Sequence, residues 1–156
     1  MFRGITQLNL DAKGRMAMPA KYRERLLESC AGCLVITIDP TNSSREPCLL
    51  LYPLPEWEVI QTKIDALSSF DAASRKVQRL LVGHADDVEM DGSGRILLPT
   101  ALREYAGMDK KIVLIGQGKK LELWDEGHWN RCREAWLDGA VTDAENLPSN
   151  LSSLSL

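Results

Sequence analysis

The 156-residue sequence predicts an α+β fold of two tandem units, each with four short strands and one short helix, sharing a core about a pseudo-two-fold axis. Three observations carry this expectation. Residues 11–24, Asp11-Ala12-Lys13-Gly14-Arg15-Met16-Ala17-Met18-Pro19-Ala20-Lys21-Tyr22-Arg23-Glu24, align with 91–104, Asp91-Gly92-Ser93-Gly94-Arg95-Ile96-Leu97-Leu98-Pro99-Thr100-Ala101-Leu102-Arg103-Glu104, with six identities at a constant offset of 80. The match continues in order: Leu34-Val35-Ile36 with Val113-Leu114-Ile115, Leu49-Leu50-Leu51-Tyr52 with Leu121-Glu122-Leu123-Trp124, and Trp57 with Trp129. Short apolar and β-branched runs alternate with tight turns and Pro-opened helices in both copies.

The elements follow in order. Residues 5–10 and 15–18 are strands around Asp11-Ala12-Lys13-Gly14, which suits a type I turn with a left-handed Gly. Pro19 opens a helix whose apolar face is Tyr22, Leu26 and Leu27 and which Gly32 ends. Residues 33–38 and 48–52 are strands, and the Pro-, Asn- and Ser-rich 39–47 between them is a surface insertion that drops the repeat offset from 80 to 72. Helical spacing of apolar residues predicts helices over 55–67 and 71–81. The second copy repeats the plan with strands at 88–90 and 95–98, a Pro99-opened helix ending at Gly107, and strands at 112–115 and 121–124 around a Gly116-Gln117-Gly118 turn. A helix over 126–137 carries Trp129, Cys132 and Trp136 on one face. The expected divisions are unit 1 at 5–52, a helical connector at 53–80, unit 2 at 81–124, a C-terminal helix at 125–139 and a flexible tail at 140–156.

Composition narrows the function classes. A 44% hydrophobic and 26% charged chain has material for a core, so wholesale disorder is excluded. The longest apolar stretch, 31–38, is far short of the roughly 20 residues of a membrane span. Asp11, Lys13 and Arg15 interrupt the N-terminal stretch before a signal-like apolar region forms. A cytosolic chain with Cys30, Cys33, Cys48 and Cys132 reduced is therefore expected.

Charge is unevenly placed. Residues 1–25 hold Arg3, Lys13, Arg15, Lys21, Arg23 and Arg25 against Asp11 and Glu24, in a chain whose net charge is −3. A local basic hairpin on an acidic body suits phosphate or nucleic-acid contact. A single such turn would ordinarily be a solvated loop, but Arg15 and Arg95 recur at the same place beside a Gly. Arg has a chemical reason to stand there, since its planar fork can take guanine O6 and N7 together. Arg23 and Arg103 are expected to play a structural part, pairing with Asp11 and Asp91 to brace the turns.

Met1-Phe2-Arg3-Gly4, the doubled Asp-x-x-Gly-Arg-x-x-x-Pro-x-x-x-Arg pattern and Glu122-x-Trp124 together resemble the MraZ family, bacterial transcriptional regulators built from two SpoVT–AbrB-type units. The resemblance covers roughly residues 1–139. It implies two AbrB-like hairpin units pairing into a β-barrel flanked by helices, and chains assembling into a homo-oligomeric ring. It further implies a non-enzymatic, cytoplasmic and nucleoid-associated regulator that is mainly a repressor of its own division and cell-wall operon. The implied partner is double-stranded promoter DNA with closely spaced G-containing direct repeats, and neither cofactor nor membrane is implied. The DNA-binding residues are then Lys13, Gly14 and Arg15 with Arg95, beside Arg3 of the basic segment; Ser93 replaces Lys13 in the second copy, leaving one cation fewer. A ring engaging spaced repeats could raise affinity by roughly 10²–10⁴. The alternative is a ring-forming scaffold or an AbrB-like antitoxin that binds a protein partner.

Other chemistry is disfavoured. Cys30-Ala31-Gly32-Cys33 follows a helix and enters a strand, the reverse of a thioredoxin-type site. A zinc set from Cys30, Cys33, His128 and Cys132 has no counterpart in the first copy, where Glu56 and Ile60 stand in the helix. His84 stands alone, and P-loop, dinucleotide and nucleophile-elbow motifs are absent. Trp57 and Trp129 read as core or interface anchors.

Overall fold

The computed structural model describes residues 1–139 and, beyond them, 150, 153 and 154. The tail expected over 140–156 otherwise lies outside the described residues. Among the described residues, eight strands and five α-helices run in the order β1 (Phe2–Asn9), β2 (Arg15–Ala17), α1 (Ala20–Cys30), β3 (Cys33–Ile38), β4 (Leu49–Pro53), α2 (Leu54–Asp65), α3 (Ala72–Val77), β5 (Asp86–Glu89), β6 (Arg95–Leu97), α4 (Thr100–Tyr105), β7 (Lys111–Gly118), β8 (Lys120–Asp125) and α5 (Glu126–Asp138). Among the described residues, no helix is long and apolar enough to cross a membrane.

The strands form a six-stranded antiparallel sheet, ordered β1-β7-β8-β4-β3-β5, and a separate ribbon of β2 with β6. The units exchange their first strands: β1 pairs with β7 of the second copy, and β5 pairs with β3 of the first. Two registers carry the symmetry. In β4–β8 the central pair is Leu50↔Glu122, flanked by Leu49↔Leu123 and Leu51↔Leu121. In the ribbon it is Met16↔Ile96, flanked by Arg15↔Leu97 and Ala17↔Arg95. Both central pairs are repeat-equivalent residues, so one pseudo-two-fold axis runs through sheet and ribbon. Among the described residues the sheet ends on β1 and β5 and its ladder stays open, so the expected closed barrel is not formed by this hydrogen bonding.

Strand alternation sorts the core. Leu34, Ile36, Leu49, Leu51, Ile112, Leu114, Leu121 and Leu123 meet Met16 and Ile96 of the ribbon, with Leu26 of α1 and Leu102 of α4. On the other face Val35, Leu50 and Tyr52 pack on Trp57 and Ile64 of α2, while Val113, Ile115 and Trp124 pack on Cys132 and Trp129 of α5. Trp57 and Trp129 thus anchor equivalent helices. Trp129 also meets Trp124 in a tilted contact and Trp136 edge-on, with centroids 5.7 and 5.8 Å away.

Three local features differ from the expected pattern. Of the expected Gly116-Gln117-Gly118 turn, Gly116 and Gln117 are strand, while Gly118, the last residue of β7, takes φ +76° and turns with Lys119 so that Gln117 pairs with Lys120 of β8. Gly116 pairs with Gly4 of β1, and a Cβ there would strike the backbone of Phe2 and Arg3, so Gly116 serves strand contact and not a turn. The helix predicted at 71–81 starts on an Asp71 cap and widens into a π-helical turn over Gln78–Val82, whose Leu81 carbonyl accepts from the buried Thr37 hydroxyl at 2.6 Å. The 39–47 insertion is rooted inside the protein at both ends, with Asp39 6% exposed and Cys48 fully buried.

Candidate nucleic-acid interface

Each Asp-x-x-Gly-Arg turn is held by its own aspartate. The Gly14 N–H donates to the Asp11 carbonyl at 3.0 Å, closing the turn, and Gly14 takes φ +82°, a conformation that favours glycine. The Asp11 carboxylate accepts from the backbone N–H of Lys13 at 3.0 Å and of Arg15 at 2.9 Å, and from Arg15 Nε at 2.7 Å. Those bonds, the Arg15 backbone N–H foremost, hold Asp11 below the usual carboxylate range. The second turn repeats the pattern: Asp91 accepts from the N–H of Ser93 and Arg95 at 2.9 Å and from Arg95 Nε at 3.2 Å, and its carboxyl is likewise lowered.

Tethering by Nε orients each guanidinium and leaves its two Nη groups without a hydrogen bond to any described residue. Arg15 and Ala17 share a face of the ribbon with Arg95 and Leu97, opposite the fully buried Met16 and Ile96. Strand rise and spacing put the Arg15 and Arg95 Cα atoms about 8 Å apart. The ribbon therefore shows two pre-oriented forks on one outward face, with the 56% exposed Leu97 directly across from Arg15. A two-stranded ribbon of this width fits a DNA major groove of about 12 Å. Lys13 adds an exposed cation at the first turn.

The predicted brace takes a different form. Arg23 pairs with Met18 and not with Asp11: its Nη2 donates to the Met18 carbonyl at 3.0 Å, and its Cζ lies 2.7 Å from where a Cβ on Gly94 would stand. Arg103 donates through Nε to the Leu98 carbonyl at 3.2 Å and lies against Gly14, its Cζ 2.5 Å from a would-be Cβ. The aspartates are occupied by Arg15 and Arg95, and strand exchange carries each helix arginine under the other unit's turn. Arg3 is not brought to the turns; it pairs with Gln117 near the far end of β1, roughly 25 Å along the strand.

A family model described as "MraZ protein, putative antitoxin-like" matches residues 1–80 and again 81–144. The chain belongs to the MraZ family. It is similar along its whole length, and along all of theirs, to proteins named "Transcriptional regulator MraZ" from Halorhodospira halophila (54% identical over 157 residues), Thioalkalivibrio sulfidiphilus (55% over 157) and Coxiella burnetii (51% over 156). In this MraZ-family chain the two matched segments meet inside the π-helical turn, yet their first strands cross into each other's sheets.

Cys30, Cys33, His128 and Cys132 form no metal-ligating group among the described residues. Cys30 bonds to the Leu26 carbonyl at 3.1 Å, whereas Cys132 is buried with Trp124 and Trp129. The one set of three metal-ligating side chains in mutual reach among the described residues is Asp39, Cys48 and Glu122, which sequence reading missed because it took 39–47 as surface. Burial, then Glu122 and Asp39, push the Cys48 thiol well up. Asp39 accepts from Thr41 N and Oγ1 at 2.8 and 2.6 Å, and Glu122 from Trp124 Nε1 at 3.0 Å, so the group anchors the insertion and the Trp cluster.

Proposed function

We propose that this chain is a sequence-specific DNA-binding transcriptional regulator, mainly a repressor of its own division and cell-wall operon. The observation that carries the reading is the ribbon face with Arg15 and Arg95, each fork pre-oriented by an aspartate on a braced turn. Either fork can take guanine O6 and N7 in the major groove, a contact worth about 1–3 kcal/mol of discrimination. Lys13, flanking the first fork, supplies phosphate contact and salt dependence. The names borne by the similar proteins support the regulator reading.

One ribbon covers few base pairs, so useful affinity requires several. A homo-oligomeric ring engaging closely spaced G-containing direct repeats meets that need. The operon DNA places the protein in the cytoplasm, on the nucleoid. Arg3, remote from the turns, has no part in base reading. The unit divisions 5–52 and 81–124 are the divisions of this reading, with the exchanged strands joining them.

The test is fluorescence anisotropy with DNA upstream of the gene's own operon, against a scrambled duplex and across a salt series. Wild type binds the operon DNA tightly with a steep salt slope. Arg15→Ala loses the preference for it while oligomer size is unchanged. Equal, weak binding of wild type to both duplexes refutes the reading and favours the antitoxin-like one, in which a protein partner binds and Arg15 is dispensable.

A further inference from the structure

The two turns are not seated on their own units. Around the first turn, the Leu98 N–H donates to the Gly14 carbonyl at 3.1 Å, the Leu98 carbonyl accepts from Arg103 Nε at 3.2 Å, and the Arg103 guanidinium lies flat against Gly14. Three links close a ring of contacts between unit 2 and the Gly14 backbone. The mirror ring joins the Met18 N–H to the Gly94 carbonyl at 2.8 Å, the Met18 carbonyl to Arg23, and Arg23 to Gly94. Arg103 also lines a cleft with Leu10, Asp11 and Ala12, all from unit 1. Arg23 Nε is buried with no hydrogen-bond partner among the described residues, so packing on Gly94 outweighs its satisfaction.

We propose that Arg103 is the positioning residue for the Lys13–Arg15 turn and Arg23 the positioning residue for the Arg95 turn, so that each unit sets the reading geometry of the other. This rests on the reading of Arg15 and Arg95 as DNA contacts. The physical reason is planarity. A guanidinium lying on a Cβ-less residue while donating to the adjoining carbonyl fixes the turn's height over the ribbon. An ammonium has the charge but not the plane. Arg15 and Arg95 need placement within a fraction of an ångström to read a base, so a shifted turn loses base reading before it loses phosphate attraction.

The experiment is a set of double-mutant cycles by anisotropy, using operon and scrambled DNA, with oligomer size and melting followed for every variant. Arg103→Lys weakens operon DNA binding about five- to hundredfold and leaves scrambled DNA binding and its salt slope unchanged. Added to Arg15→Ala it costs nothing further; added to Arg95→Ala it costs its full amount. Arg23→Lys shows the opposite pairing. Additivity of Arg103→Lys with Arg15→Ala, coupling to Arg95 in its own unit, or no effect of Arg103→Lys overturns the proposal. If Arg15→Ala itself binds operon DNA as wild type does, the DNA reading has failed, and the brace is then read from the Gly14 and Gly94 amide resonances. Arg103→Lys moves Gly14 and spares Gly94 if the brace crosses units, and the reverse pattern overturns it.

Discussion

Replacing Gly14 by Ala tests the seat of the first turn. The added Cβ meets Arg103 Cζ at 2.5 Å, and Nε and Nη1 at 2.8 Å, while φ stays at +82°. Holding an L-residue in left-handed geometry costs about 1–2 kcal/mol. The guanidinium is the far end of a flexible side chain and can swing away, but it then loses its bond to the Leu98 carbonyl. A hydrogen bond to a charged group contributes about 1.5–3 kcal/mol, less where water reaches it, so the combined loss is about 2–4 kcal/mol. Gly92→Ala is the control. No atom of the described residues lies within 4 Å of its would-be Cβ, its φ is not positive, and the first copy carries Ala12 at the same place. That change is expected within about 0.5 kcal/mol of neutral. Urea unfolding of both variants at one fixed protein concentration measures the difference, since assembly makes stability concentration-dependent. A Gly14→Ala loss no larger than that of Gly92→Ala would refute both the crowding and the strain argument.

Two further outcomes follow from the same geometry. Ile96→Ala, at the centre of the ribbon and fully buried between ribbon and sheet, should cost about 2–5 kcal/mol by chemical denaturation, whereas Leu97→Ala, outward and 56% exposed, should cost under about 1. Asp11 and Asp91 are held below their unfolded value of about 4, so the stability they add is present above that pH and lost as pH falls through their lowered folded values. Acid unfolding of Asp11→Asn with Asp91→Asn should therefore be flatter below pH ~4 than that of wild type, with no difference in slope between pH 6 and 8.

Much of the candidate site was legible in the sequence because its chemistry is local. The Asp11-to-Gly14 turn, the left-handed glycine and the Arg beside it depend on residues within four positions, and the repeat at 91–95 marked them as more than a solvated loop. In Gly116-Gln117-Gly118 the local signal holds only for Gly118, which turns at φ +76°: glycine signals permissive backbone, but Gly116 leaves room for Phe2 and Arg3 of a strand over 100 residues away in sequence. Asp39 and Cys48 were hidden because polarity in 39–47 is shared by surface loops and by loops rooted on buried hydrogen bonds.

The sequence alone determined that there are two equivalent units, where each turns, and which arginine each turn displays, since periodicity and turn chemistry act over a few bonds. Only the tertiary structure decided that β1 and β5 change places, that Arg15 and Arg95 share one face, and that Arg23 and Arg103 support the opposite turn. Those outcomes depend on which copies of nearly identical strands pair. Repeated units offer the chain similar partners within and across copies, and burial of Met16 on Ile96 at the common axis goes with the exchanged arrangement.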